Sequence, residues 1–152
     1  MKSLENPEDK REIVNRLGAL GTESRRRWGR MTVAEMLCHV SDAFSVGLGE
    51  KQARDRSSWA WRSLVKWIAL WGPVEWPHGV PTVPECDAKL GGTPPVEFEL
   101  DRRRVLDALD RFTQSNRGHA LEAHPIFGKL SEKEWMRWGY LHADHHLRQF
   151  GA

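Results

Sequence analysis

Residues 131–151 read Ser131-Glu132-Lys133-Glu134-Trp135-Met136-Arg137-Trp138-Gly139-Tyr140-Leu141-His142-Ala143-Asp144-His145-His146-Leu147-Arg148-Gln149-Phe150-Gly151. Ser131 with Glu134 three positions on is a capping box, in which hydroxyl and carboxylate each satisfy a free backbone N–H at a helix start. Gly151 is well placed to end the helix, so an α-helix is predicted from Ser131 to Gln149 or Phe150. At 100° per residue, Trp138, Gly139, His142, His146, Gln149 and Phe150 all fall within about 60° of Trp135. One inward stripe therefore carries large apolar side chains and two histidines one turn apart. His145 sits at its edge, about 80° away, and Tyr140 and Asp144 lie on the outer side.

Three more helices are predicted upstream. The first spans about Asn6 to Leu20, with Asn6 as cap, Pro7 at the first helical position and Glu8 and Asp9 favoured by the helix dipole. Its apolar stripe is Ile13, Val14, Leu17 and Leu20. A second opens on Thr32-Val33-Ala34-Glu35, another capping box, and runs to about Leu48. Val33, Met36, Leu37, Val40, Phe44 and Leu48 gather on one face, with His39 on its shoulder. The last runs from Asp101, as cap, to about Thr113, with Val105, Leu106, Leu109 and Phe112 inward.

An accessory amphipathic piece, Ser57 to Trp71, places Trp61, Leu64, Val65, Trp67, Ile68 and Trp71 on a broad face read as packing, with Trp59 and Leu70 on the polar side. A Trp61-centred face of this kind also suits a homodimer contact or a membrane surface. From Gly72 to Pro95 helical periodicity stops. Six prolines (Pro73, Pro77, Pro81, Pro84, Pro94 and Pro95) make this a long Pro/Gly-rich loop, of a length that often forms a lid or site wall. The expected fold class is all-α: a four-helix bundle with an accessory helix and this loop, in a single domain over residues 1–152.

The chain's 152 residues suit one domain, and its composition is that of a globular protein, 39% hydrophobic and 29% charged. With 23 Lys plus Arg against 21 Asp plus Glu, the net charge of +2 asks for no nucleic-acid or lipid partner. The Arg25-Arg26-Arg27 and Arg30 connection reads as a solvated linker. The apolar stretch from Trp59 to Trp76 is broken by Arg62, Lys66 and Glu75, so no membrane span is expected. The polar amino-terminal residues lack the apolar core of a secretory signal, and the expected localisation is cytoplasmic. Cys38 and Cys86 form no CxxC spacing and read as reduced thiols.

The unusual counts are eight Trp against one Tyr, and seven His. Trp61, Trp67, Trp71, Trp135 and Trp138 follow helical stripes and are expected in the core. His142 and His146, spaced i and i+4 on the inward face, are close enough to bind one metal ion. The alternative is that they are polar core residues, each hydrogen-bonded to a carbonyl or side chain. The zinc-protease motif H-E-x-x-H is not met, because Ala143 occupies the glutamate position. Cys38 adjoins His39, but neighbouring side chains diverge on a helix, so a Cys–His nucleophile is poorly supported.

The stretch Arg30-Met31-Thr32-Val33-Ala34-Glu35-Met36-Leu37-Cys38-His39-Val40, with the closing His142-Ala143-Asp144-His145-His146-Leu147-Arg148-Gln149-Phe150-Gly151, resembles the DinB/YfiT-like metalloenzyme superfamily. His124-Pro125-Ile126-Phe127-Gly128-Lys129-Leu130-Ser131 followed by Trp135 resembles a branch of it with unknown function. The resemblance implies a four-helix bundle in which three histidines hold a divalent metal, one from the second helix and an i, i+4 pair from the last. By position these are His39, His142 and His146. Three imidazoles leave a tetrahedral ion an open position and suit zinc or nickel. Characterised members include transferases of low-molecular-weight thiols, which implies a metal-activated small thiol and a small-molecule substrate.

Beside these ligands, Gln149 and His145 are candidates to support a ligand from behind or to line the pocket. Asp42, one turn after His39, is a candidate acceptor for that imidazole's second proton. His124 reads as a turn residue. The expected function is a metal-dependent enzyme; the alternative is a bundle that binds metal or a small ligand without turnover.

Overall fold

A computed structural model of the chain describes residues 1–73 and 75–152; Val74, within the expected loop, lies outside the described residues. The described residues form five α-helices: α1 (Pro7–Ala19), α2 (Val33–Gly47), α3 (Lys66–Trp71), α4 (Phe98–Thr113) and α5 (Glu132–Gln149). Among them there is no strand beyond a single antiparallel bridge between His124 and Gly128.

The caps explain where the helices begin. Asn6 accepts from the Glu8 N–H, and both capping boxes, Thr32 with Glu35 and Ser131 with Glu134, are closed reciprocally. The cap of α4 differs from expectation. Glu97, not Asp101, accepts from the Glu99 and Leu100 N–H groups. Asp101 lies inside α4, fully buried, where it accepts from the Val96 N–H and pairs with Arg104 at 3.1 Å. A longer glutamate reaching forward over the first turn takes the role expected of the aspartate.

α2 packs on α4 and α5, and α1 packs on α5 and α4. Between them lies one hydrophobic core that includes Ile13, Leu17, Met36, Phe44, Leu109 and Trp135. Gly139 lets α5 come close here, since a β-carbon on it would stand 2.7 Å from Leu4 and 3.0 Å from Phe112. Tyr140, expected on the outer side, is buried, because α1 covers that side of α5. Its hydroxyl donates to Glu12 at 3.1 Å, and Asp144 pairs with Arg16 at 2.7 Å.

The accessory segment forms, but with a different face inward. A π-helical turn at Trp61–Val65 precedes α3. Its wider spacing inserts a residue relative to an α-helix and rotates the residues of α3 about the helix axis. Leu70, placed by the even wheel on the polar side, is completely buried, whereas Trp59 and Trp67 are 83% and 59% exposed. Trp61, Leu64 and Ile68 are exposed too, so the tryptophan excess is core packing at Trp135 and Trp138 but not at Trp61 or Trp67. The piece is pinned to α5 by Arg137 donating to the Leu70 carbonyl at 2.9 Å and by Lys66–Glu134 at 2.8 Å. In the loop, Pro84–Cys86 makes one 3-10 turn. No helix of the described residues is long and apolar enough to cross a membrane.

Candidate metal centre

α2 presents His39 and α5 presents His142 and His146 to a common point, where one ring nitrogen from each lies within 4.8 Å of the other two. On the helical wheel His39 occupies a shoulder; the proximity of α5 turns that shoulder inward. All three rings are nearly excluded from solvent. Burial holds each imidazole below its ordinary pKa, and for His142 the neighbouring imidazoles add to the effect. The three are therefore neutral bases at pH 7, the protonation state in which imidazole binds a metal.

Hydrogen bonds fix two of the tautomers. His39 Nδ1 lies 3.0 Å from the Cys86 carbonyl, which can only accept, so Nδ1 carries the proton and Nε2 the lone pair. Gln149 Nε2 donates to the Trp28 carbonyl at 2.9 Å, which turns Oε1 toward His146 Nδ1 at 3.0 Å. His146 Nδ1 is thus a donor and its Nε2 a free lone pair. His142 Nε2 stands 3.0 Å from His39 Nε2, close to the roughly 3.3 Å between nitrogens around a tetrahedral zinc ion. With the lone pair of His39 Nε2 fixed, this contact is a hydrogen bond donated by His142 Nε2–H or, with His142 in its other tautomer, a pair of lone pairs facing a cation. Unlike the Nδ1 atoms of His39 and His146, the buried His142 Nδ1 has no hydrogen-bond partner among the described residues. That ring lies flat against Trp138, centroids 4.7 Å apart and planes 12° from parallel.

The remaining predicted site residues divide. Gln149 is buried, and its Oε1 accepts from His146 Nδ1 at 3.0 Å. His145 lines the cavity above the cluster, its ring about 6 Å from those of Trp28, Trp76 and His78. Asp42 does not serve His39. Its carboxylate accepts from the Thr93 N–H and hydroxyl, both at 2.7 Å, and pairs with Lys51 at 2.9 Å. The far end of the loop offers Asp42 several donors, while the Cys86 carbonyl takes the His39 proton. Burial pushes the thiols of Cys38 and Cys86 up to about 12, so neither is a thiolate nucleophile at neutral pH.

The cluster forms part of the wall of a cavity of about 340 Å³. Its other walls come from α5, the Trp61–Trp71 piece, the His124–Phe127 turn and the loop, which contributes Trp76, Pro77 and Val83. His124 is the turn residue that its sequence context suggests, since its Nδ1 accepts from the Ile126 and Phe127 N–H groups at 3.1 Å each. Its ring also faces the cavity, which the sequence does not signal. The Cys86 and Trp28 carbonyls were not foreseeable, because a backbone acceptor leaves no mark in residue type.

Fold and site together define an all-helical protein with a buried three-histidine cluster beside an apolar cavity. The chain belongs to the family described as protein of unknown function (DUF1569), whose profile matches residues 2–152. No curated protein and no solved structure matches it.

Proposed function

We propose that the chain is a metal-dependent enzyme built on a DinB/YfiT-like four-helix bundle, with His39, His142 and His146 as the ligands of zinc or nickel. The observation that carries this reading is the tautomer lock. The Cys86 carbonyl and Gln149 each hold an Nδ1 proton, which frees Nε2 of His39 and His146 for one ion, as the hydrogen-bond partners of metal-binding histidines do. An all-imidazole donor set suits either metal. A bound ion with an open position supplies a Lewis acid that lowers the pKa of a thiol or water placed against it.

The reaction we infer is transfer of a low-molecular-weight thiol to an electrophile. A sulfur–carbon bond forms, the thiol proton passes to solvent, and the leaving group departs with its bonding electrons. The chain's own contribution is to hold the ligands rigid through Gln149 and the Cys86 carbonyl, and to seat the electrophile against Trp76 and Trp138 with water displaced. The test is zinc- or nickel-loaded protein incubated with a panel of small thiols and a chromogenic aryl halide. The proposal predicts turnover that is lost in His142→Ala. Absence of turnover with every thiol, in protein shown to hold the metal, favours the second reading, a binding bundle, which the largely apolar cavity wall also suits.

A further inference from the structure

The cavity beside the three-histidine cluster has a specific chemical character. Its walls are mostly aromatic and aliphatic, with Trp61, Ile68, Trp76, Val83, Ile126 and Trp138 among them. Among the described residues no lysine or arginine lines it. The carboxylate on its lining, Glu75, is exposed and paired with Arg148 at 2.8 Å. Where no ion occupies the cluster, an anion entering this space loses its hydration and meets no counter-charge.

One group in this wall has a fixed polarity. Two backbone N–H groups, from Ile126 and Phe127, point at His124 Nδ1, which must therefore carry the lone pair. Burial holds this imidazole down at about 3, so it is neutral at pH 7 and its proton sits on Nε2. The ring is held in place by stacking on Phe127 at 4.9 Å and by the edges of Trp135 and Trp138. Among the described residues the ring's hydrogen bonds are both made at Nδ1 and none at Nε2. The turn thus places an N–H donor of fixed polarity at the wall of a largely apolar cavity.

We propose that this cavity takes an uncharged aromatic molecule carrying one hydrogen-bond acceptor, such as an aryl ketone, with the acceptor received by His124 Nε2–H. This names the substrate class for the site of the proposed enzyme and rests on that reading for its catalytic meaning. Its binding test does not require the ion. His124 is a positioning and specificity residue, because it holds the substrate at its acceptor and is not one of the three candidate ligands.

The test is calorimetric titration of the full chain, with and without an equivalent of zinc, using three ligands of matched shape: 2-acetylnaphthalene, 2-ethylnaphthalene and 2-naphthoate. In the zinc-free chain the ketone is expected to bind about three- to tenfold more tightly than the hydrocarbon, the worth of one net hydrogen bond, and the carboxylate at least about tenfold more weakly than the ketone. His124→Asn keeps an acceptor oxygen on the γ-carbon for the two backbone N–H groups and removes the Nε2 donor. In that variant the ketone preference falls below about twofold while the hydrocarbon binds as before. Equal binding of ketone and hydrocarbon by the unaltered chain, tight binding of naphthoate by the zinc-free chain, or a preference that survives in folded His124→Asn overturns the proposal. Should the variant not fold, the three-ligand comparison on the unaltered chain decides. Failure here with metal bound stoichiometrically sinks the substrate class alone; success in a chain that takes up no metal sinks the enzyme reading alone.

Discussion

Gln149 is held at both ends, its amide nitrogen on the Trp28 carbonyl and its oxygen on His146 Nδ1. Gln149→Leu releases the ring and is expected to weaken zinc binding about 10- to 100-fold, the usual effect of losing such a partner, as read by competition with a chromophoric chelator. An unchanged affinity would remove Gln149 from the site. His124 gives a pH prediction. Its pKa is depressed from 6.5 in the unfolded chain to about 3 when folded, so below pH 6.5 protons bind the unfolded state preferentially. Its contribution to stability is complete above pH 6.5 and is lost as pH falls toward 3, by about 1.4 kcal/mol per unit. His39, His142 and His146 shift in the same direction and steepen the loss. Denaturant titrations between pH 7 and pH 4 check the slope; stability flat across that range contradicts the buried neutral histidines. At this scale the ligand pair on α5 was legible because i, i+4 spacing on an inward face is a pattern of side chains. His39 came only through the family resemblance. Asp42 was misassigned because proximity along α2 does not say which neighbour reaches a proton first.

The Trp61–Trp71 piece separates the two possible readings of a helical wheel. If an unbroken α-helix formed, Trp67 would pack and Leu70 would face solvent; the π turn reverses this. Leu70→Ala is therefore expected to destabilise the chain by about 2–5 kcal/mol and Trp67→Ser by no more than about 0.5 kcal/mol, measured by urea unfolding. The reverse order would restore the even wheel. The other elements were legible almost to the residue wherever a cap had a side-chain signature, as at Asn6, Thr32 and Ser131. α4 was legible in type but not in start, since glutamate is an uncommon cap and its role at Glu97 depends on the path of the preceding loop. A wheel also cannot say that another helix covers its outer side, which is why Tyr140 was misplaced.

For the whole molecule, the cluster joins α2 to α5 and, through the Cys86 and Trp28 carbonyls, ties in the long loop and the α1–α2 connection. An ion bound only by the folded chain stabilises it by mass action. Zinc at 100 times its dissociation constant is expected to add about 2.7 kcal/mol and raise Tm by about 5–10 °C, a rise absent in His142→Ala. The all-helical class was legible from periodicity and caps, but the cavity was not, because its walls come from segments far apart in sequence. The central claim is that the three histidines hold one ion, and elemental analysis of protein purified without added metal tests it most directly, before and after incubation with zinc and nickel followed by dialysis. The account predicts about one zinc or nickel per chain, falling close to zero in His142→Ala; a native chain that retains almost no metal even after incubation would contradict it.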